Sequence, residues 1–171
     1  MKSMRKLLPV VLAIFIIACK KENDNPNTVN PTDKNFLIQT YLASKAETQA
    51  GQLALNKSSS VTIQNFGQRM MTDYNAMRTD LIAVANKLNF ALTDTSEINA
   101  QSVSNLNELN GYSFDTAYVH SRVQTQFNTL SNFQNELNNG NNTYVRYYFL
   151  NKYIDKIKTY YLEADSIFRA L

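Results

Sequence analysis

After Pro31 the chain contains no further proline, and only four glycines occur in all 171 residues. Proline is the residue a helix interior tolerates least, and glycine-rich turns are what a chain of short strands would need at every reversal. Residues 32–171 are therefore free to run as long helices. Their apolar residues recur at steps of three and four, the period of a helix with one buried face. The fold class that follows is all-α, and the length suits one domain with a core of useful size.

The pattern resolves into four long helices and one short one. Asp33 is the expected first N-cap, and helix one runs to about Lys57. Phe36, Thr40, Ala43, Glu47, Ala50 and Ala54 form its inward stripe. Ser58-Ser59-Ser60 is a break. Helix two then carries Ile63, Phe66, Met70, Tyr74, Met77, Leu81, Val84 and Leu88 at unbroken helical spacing. A short third helix fits Asp94 to Leu109, opened by the pair Asp94 and Glu97 as in a capping box and closed by Gly111. The next long helix begins at Ser113 or Phe114, with Tyr118, Val123, Phe127, Leu130, Phe133 and Leu137 as its apolar positions. Asn138 to Asn142 is a turn, and the last helix starts near Thr143 and carries Leu150, Ile154, Ile157, Tyr161, Ala164 and Phe168.

Short joints after helix one and after residue 138 make each of those pairs an antiparallel hairpin. The segment from Asn89 to Tyr112 is long enough to travel back along helix two, which spans ~43 Å at 1.5 Å per residue. The expected architecture is thus a ferritin-like four-helix bundle, with a crossover holding the short extra helix between the second and third long helices.

The N-terminus has a different character. Lys2, Arg5 and Lys6 precede an apolar run from Leu7 to Ile17, too short to cross a bilayer but right for the core of an export signal. The run ends Ile16-Ile17-Ala18-Cys19, which resembles the lipobox of bacterial lipoproteins. Lipid transfer there needs a thiol nucleophile, and Cys19 is the only cysteine. The expectation is a signal over residues 1–18 and a lipid on Cys19. The alternative is an ordinary signal with an incidental thiol. Lys20 to Thr32 has Val29 as its only aliphatic residue and no aromatic one, so it reads as a disordered tether holding the domain ~20 Å from a membrane. The sequence Lys20-Lys21-Glu22-Asn23-Asp24 resembles short signals that direct some lipoproteins to the outer cell surface. The implied location is the outer membrane of a cell envelope, facing either the periplasm or the exterior.

The formal charge of +3 comes from the signal: without Lys2, Arg5 and Lys6, basic and acidic residues are equal in number. A neutral domain lacks the basic face a nucleic-acid protein requires, and electrostatics would not hold it on a membrane. No nucleophile elbow, phosphate loop or zinc-type cysteine spacing occurs, so neither an enzyme nor a cofactor is expected.

Several short motifs appear in order. Ala46-Glu47 precedes Gly51, Leu53-Ala54-Leu55 follows, and the second helix has Phe66-Gly67-Gln68-Arg69-Met70-Met71 and Asp73. The fourth helix has Phe114-Asp115, Ala117-Tyr118-Val119, then Leu130, Phe133-Gln134 and Glu136. Over residues 35–165 this resembles the bacterial domain-of-unknown-function 4142 family, whose members are exported and ferritin-like. The resemblance implies histidines inside the bundle, after an aspartate on the second long helix, on the third, and after a glutamate on the last. Here those places hold Asp73-Tyr74, Thr125-Gln126 and Thr159-Tyr160, leaving Glu47 and Asp73 as the remaining carboxylates.

The single histidine, His120, has Ala117 rather than a glutamate three residues before it, so the pairing typical of such metal sites is missing and no metal is expected. Glu47 lies on an inward stripe, and a buried carboxylate needs hydrogen bonds or a proton. One reading is a buried polar cluster of Glu47, Asp73, Tyr74, Gln126 and Tyr160, with the last three bonding Glu47. The other places Glu47 on the rim, paired with solvent or a lysine. Tyr144, Tyr147, Tyr148, Tyr153, Tyr160 and Tyr161 crowd the last helix, as either core or a face for a protein partner. The functional expectation is a membrane-anchored, non-enzymatic binding or structural module; the alternative is a metal-binding or metal-storing protein with altered ligands.

Overall fold

Helix one owes its start to a reciprocal pair. The Asn30 side chain accepts from the Asp33 backbone N–H at 2.8 Å, and Asp33 Oδ2 accepts from the Asn30 N–H at 2.7 Å. Pro31, which has no N–H to satisfy, occupies the first helical position. The helix therefore begins at Pro31, with Asn30 as its cap; Asp33 sits three residues inside as the returning partner. In the computed structural model, residues 28–92 and 100–171 are described, and the regular elements among them are all helical. They are α1 (Pro31–Lys57), α2 (Val61–Lys87), α3 (Ala100–Asn107), α4 (Gly111–Asn139), a π-helical segment (Tyr144–Leu150) and α5 (Asn151–Ala170). The signal, Cys19, most of the tether, and the Asp94 and Glu97 pair lie outside the described residues.

Direction follows from the contacts at the helix ends. Lys57, at the end of α1, donates to the carbonyls of Asn107 and Leu109 at 2.6 and 2.8 Å, next to the start of α4. Asn30, at the start of α1, donates to the Asn139 carbonyl at the end of α4. Thus α4 is antiparallel to α1, as α2 is, and α2 and α4 run the same way. The chain leaving α2 must return the length of the bundle before α4 begins, which is the one long crossover expected. α5 runs antiparallel to α2, with Arg69 paired to Glu163, Asp73 to Lys156 and Asp80 to Lys152 along the seam. The result is an all-α four-helix bundle in which each helix is antiparallel to both of its neighbours.

Local chemistry sets the joints. α2 stops with Asn89 at φ +50°, while the Phe90 and Asn89 N–H groups return to the Ala85 and Asn86 carbonyls. That closes the last turn in a Schellman arrangement, where asparagine tolerates the left-handed conformation. α1 and α2 approach closely because both are glycine at the crossing: a Cβ on Gly51 would lie 2.5 Å from the Gly67 carbonyl oxygen. The start of α4 is three residues earlier than Ser113 or Phe114 would put it for the second of these, since Gly111 turns the chain at φ +56°.

The core follows the sequence pattern on α1 and α2, and Phe36, Phe133 and Phe149 cluster with ring centroids 5.0–6.1 Å apart. On α5 the buried residues are Tyr153, Ile157, Tyr160 and Ala164, while Ile154 and Tyr161 are half-buried and Phe168 is exposed. α4 also departs from the pattern. Phe127 is 58% exposed, whereas Arg122 and Gln126 are buried. The inward stripe of α4 is Tyr118, Arg122, Gln126, Thr129 and Phe133, turned away from the more apolar set that hydrophobicity alone selects.

At the end where the chain comes in, Asp33 and Glu136 are buried together. Asp33 Oδ1 accepts from the backbone N–H groups of Asn141 and Asn142 at 3.1 Å. Asn142 in turn donates to the Thr28 carbonyl. Burial, then the neighbouring Asp33 carboxylate, push the Glu136 carboxyl up to about 8, against the opposing pull of Arg146. Between the ordinary value of 4.5 and about 8, the unfolded chain has released this proton while the folded one still holds it. Stability therefore falls as pH rises through that window. Glu136→Gln should flatten the fall, raising the melting temperature at pH 8 while leaving it unchanged below pH 4.5, as thermal unfolding across the range will show.

Candidate functional site

The interior of the bundle is bridged by polar side chains midway along its length. Arg122 Nη1 on α4 donates to Glu47 Oε2 on α1 at 2.7 Å, and the two side chains are 1% and 2% exposed. Ser121 Oγ accepts from the other side of the same guanidinium at 3.2 Å, and the Tyr118 ring lies 5.5 Å beneath it. One turn further along α4, Gln126 Oε1 accepts from the Tyr74 hydroxyl at 2.6 Å. Two crossbeams thus tie α4 to its neighbour α1 and to α2.

These contacts fix the charge states. Burial works to lower the Arg122 pKa, but Glu47 outweighs it and holds the guanidinium charged. Burial raises the Tyr74 hydroxyl well above its ordinary range, and the Glu47 charge adds to the effect. Burial likewise raises Tyr118. The cluster is a carboxylate–guanidinium pair among neutral phenols, with neither a free base nor a nucleophile in it.

The five residues expected to form one cluster fall into two groups. Glu47, Tyr74 and Gln126 share the interior. Tyr160 donates instead to Asp73 Oδ2 at 2.6 Å, on the α2–α5 seam, where Lys156 meets the other Asp73 oxygen at 2.8 Å. The Tyr160 and Tyr74 rings adjoin at 6.4 Å, yet their hydroxyls serve different carboxylate neighbourhoods. Glu47 is neither bonded to the phenols nor on the rim: its partner is Arg122, which the sequence reading passed over. The available signal was position, since Arg122 stands four residues from both Tyr118 and Gln126 on the buried face.

A cleft of about 380 Å³ opens above the ion pair, between α1 and α4. Its walls carry the amides of Gln39, Asn128 and Asn132 and the hydroxyls of Thr40, Thr125 and Thr129. Ala43 and Ala46 form its apolar strip. His120 lies elsewhere, exposed, with its ring 5.2 Å from Phe168. In the last helix Tyr153 and Tyr160 are buried and Tyr144 and Tyr161 partly so. The side chains of Tyr147 and Tyr148 lie outside the described part.

Residues 18–167 match the family described as Domain of unknown function (DUF4142). The chain belongs to the DUF4142 family. No curated protein and no solved structure matches it. The matched span takes in α1 to α4 whole, the π-helical segment and most of α5, so the bundle itself is the DUF4142 domain. The family's implied histidine sites do not fit a metal in this DUF4142 chain. A guanidinium already neutralises Glu47, and Lys156 and Tyr160 already occupy both oxygens of Asp73. A cation brought to either carboxylate would have to displace a positive or hydrogen-bonding partner.

Removing one member of a buried pair strands the other charge, at a cost of about 3–5 kcal/mol. Glu47→Ala should lower the unfolding free energy by roughly that amount in urea titrations. The apolar double replacement Glu47→Leu with Arg122→Met should recover most of it.

Proposed function

We propose that this chain is an envelope lipoprotein, held by a lipid on Cys19, whose ferritin-like bundle is a non-enzymatic binding or structural module. The observation that carries the anchoring is Ile16-Ile17-Ala18-Cys19 at the edge of a short apolar run behind a basic start. The polar residues from Lys20 onward supply a spacer, and the chain joins the bundle at the Asn30 end. On this reading the opposite end, with Lys57, Tyr112 and Phe168, would face away from the membrane. The single long crossover supports the ferritin-like reading. The non-enzymatic reading is supported by the mid-bundle pair, in which Glu47 and Arg122 neutralise each other.

A protein partner remains part of this proposal, with a shift in location. The exposed apolar side chains of Phe127 and Leu162, with Tyr112 and Phe168, lie along α4 and α5, and the half-buried Tyr161 ring adjoins Phe127 at 6.2 Å. The competing class, a metal-storing bundle, would have Glu47 and Asp73 as donors.

Fractionation of cells expressing the full chain tests the anchor. The protein should sediment with membranes and incorporate labelled palmitate, and Cys19→Ala should abolish both. A variant that stays membrane-bound and labelled would refute lipidation at this residue. Elemental analysis of the purified full chain should return no stoichiometric transition metal; a bound metal lost on Glu47→Ala would instead establish the storage reading.

A further inference from the structure

Bundle helices normally close on one another by fitting large side chains into facing grooves. Above Glu47 and Arg122 the facing positions Ala43, Ala46, Thr125 and Thr129 are short, and the walls meet only where Asn132 Nδ2 donates to Thr40 Oγ1 at 3.3 Å. The opening is a consequence of small residues on both walls. Its volume of about 380 Å³ falls in the range of small-molecule sites.

The chemistry of the walls narrows the occupant. Of the groups lining the cleft, the amides of Gln39 and Asn128 can both donate and accept. Asn132 bridges to Thr40 Oγ1 at 3.3 Å, and the Thr125 and Thr129 hydroxyls donate to α4 carbonyls while their oxygens can still accept. The charges at its floor are satisfied by each other at 2.7 Å. An ionic ligand would be desolvated there with no counter-charge to meet it. A neutral polyhydroxyl ligand has the matching property, since every hydroxyl of a sugar also donates and accepts. The Ala43 and Ala46 methyls offer a surface for the C–H face of a sugar ring. From Gln39 to Glu47 the α1 wall extends ~12 Å at 1.5 Å per residue, about the length of two linked rings.

We propose that the α1–α4 cleft is a binding site for a short neutral saccharide of one or two rings, held by the amides of Gln39, Asn128 and Asn132 and the three threonine hydroxyls over an alanine strip. This deepens the binding-module reading and rests on it, while lipid attachment does not enter. Glu47 and Arg122 act as a rigid floor that keeps α1 and α4 at their present spacing.

The test is calorimetric titration of the full chain, solubilised in a detergent without a sugar headgroup, with cellobiose, maltose and N,N′-diacetylchitobiose. At least one should bind saturably, with a dissociation constant in the millimolar range or tighter. Ala46→Leu, which fills the cleft, should weaken that sugar by tenfold or more. Asn128→Ala, which removes one amide from an exposed wall position, should weaken it by a smaller factor. Lys158→Ala, on the exposed face of α5, should leave it unchanged, and circular dichroism should show all three variants folded. If none of the three sugars binds at tens of millimolar, the ligand class is wrong. If a sugar binds but neither Ala46→Leu nor Asn128→Ala weakens it, the domain is a binding module whose site lies elsewhere and the cleft assignment falls. If Ala46→Leu fails to fold, Asn128→Ala alone decides.

Discussion

The ion pair between Glu47 and Arg122 organises the bundle around it. Stranding either charge in the interior without the other costs about 3–5 kcal/mol, a large share of what a folded domain has to spare. Once Glu47 lies on the inward face of α1, a cation must come from a facing helix. Arg122 is the residue of α4 that reaches it. That requirement fixes the rotation of α4 about its own axis. With Arg122 inward, Tyr118, Gln126 and Phe133 follow at helical spacing, and Phe127 is carried to the surface. Val123, Leu130 and Leu137 keep partial contact with the core, so the electrostatic compensation costs the helix the burial of Phe127.

The rotation has further effects at both ends of α4. Turning Phe133 inward completes the aromatic cluster with Phe36 and Phe149, and it places Glu136 against Asp33. The Glu136 carboxylate also fills the space beside Gly140, where a Cβ would fall 2.2 Å from Oε1. A side chain at the glycine that ends α4 would have to displace the Glu136 carboxyl. At the other end, Lys57 closes the junction by capping carbonyls of the returning crossover. The elevated carboxyl of Glu136 and the charged pair at mid-bundle share one cause, which is polar groups placed where solvent cannot reach them.

Much of this was legible in the amino-acid sequence. The helix count, the serine break, the asparagine turn and the crossover all follow from where proline, glycine and apolar residues fall, because backbone rules are local. The inward stripes of α1 and α2 follow for the same reason, whereas on α5 only Ile157 and Ala164 of the expected stripe are buried. Asn30 was harder to read, since Asp33 is an equally good cap by type and only the reciprocal bond tells them apart. Arg122 was not read at all. Hydrophobic periodicity selects the apolar side of α4, and it has no means of recognising a face buried through a partner on another helix. The family resemblance sets Tyr74, Gln126 and Tyr160 around Glu47, whereas Tyr160 is drawn with Lys156 to Asp73 across a seam the sequence does not define. The π-helical turn from Tyr144 to Leu150 likewise has no marker in residue type.

The contacts at Asn30 have a mechanical meaning. Asn30 is bonded to the Asn139 carbonyl, Thr28 to Asn142, and Asp33 to the backbone of Asn141 and Asn142. Tension applied to the chain ahead of Thr28 would thus not peel α1 from its first turn one bond at a time. It would load several cross-links in parallel and pass into α4 and the α4–α5 joint. Such a geometry resists by shear and spreads the force over two hairpins, so a domain dragged by its N-terminus would stay folded under loads that would unzip a free helix end.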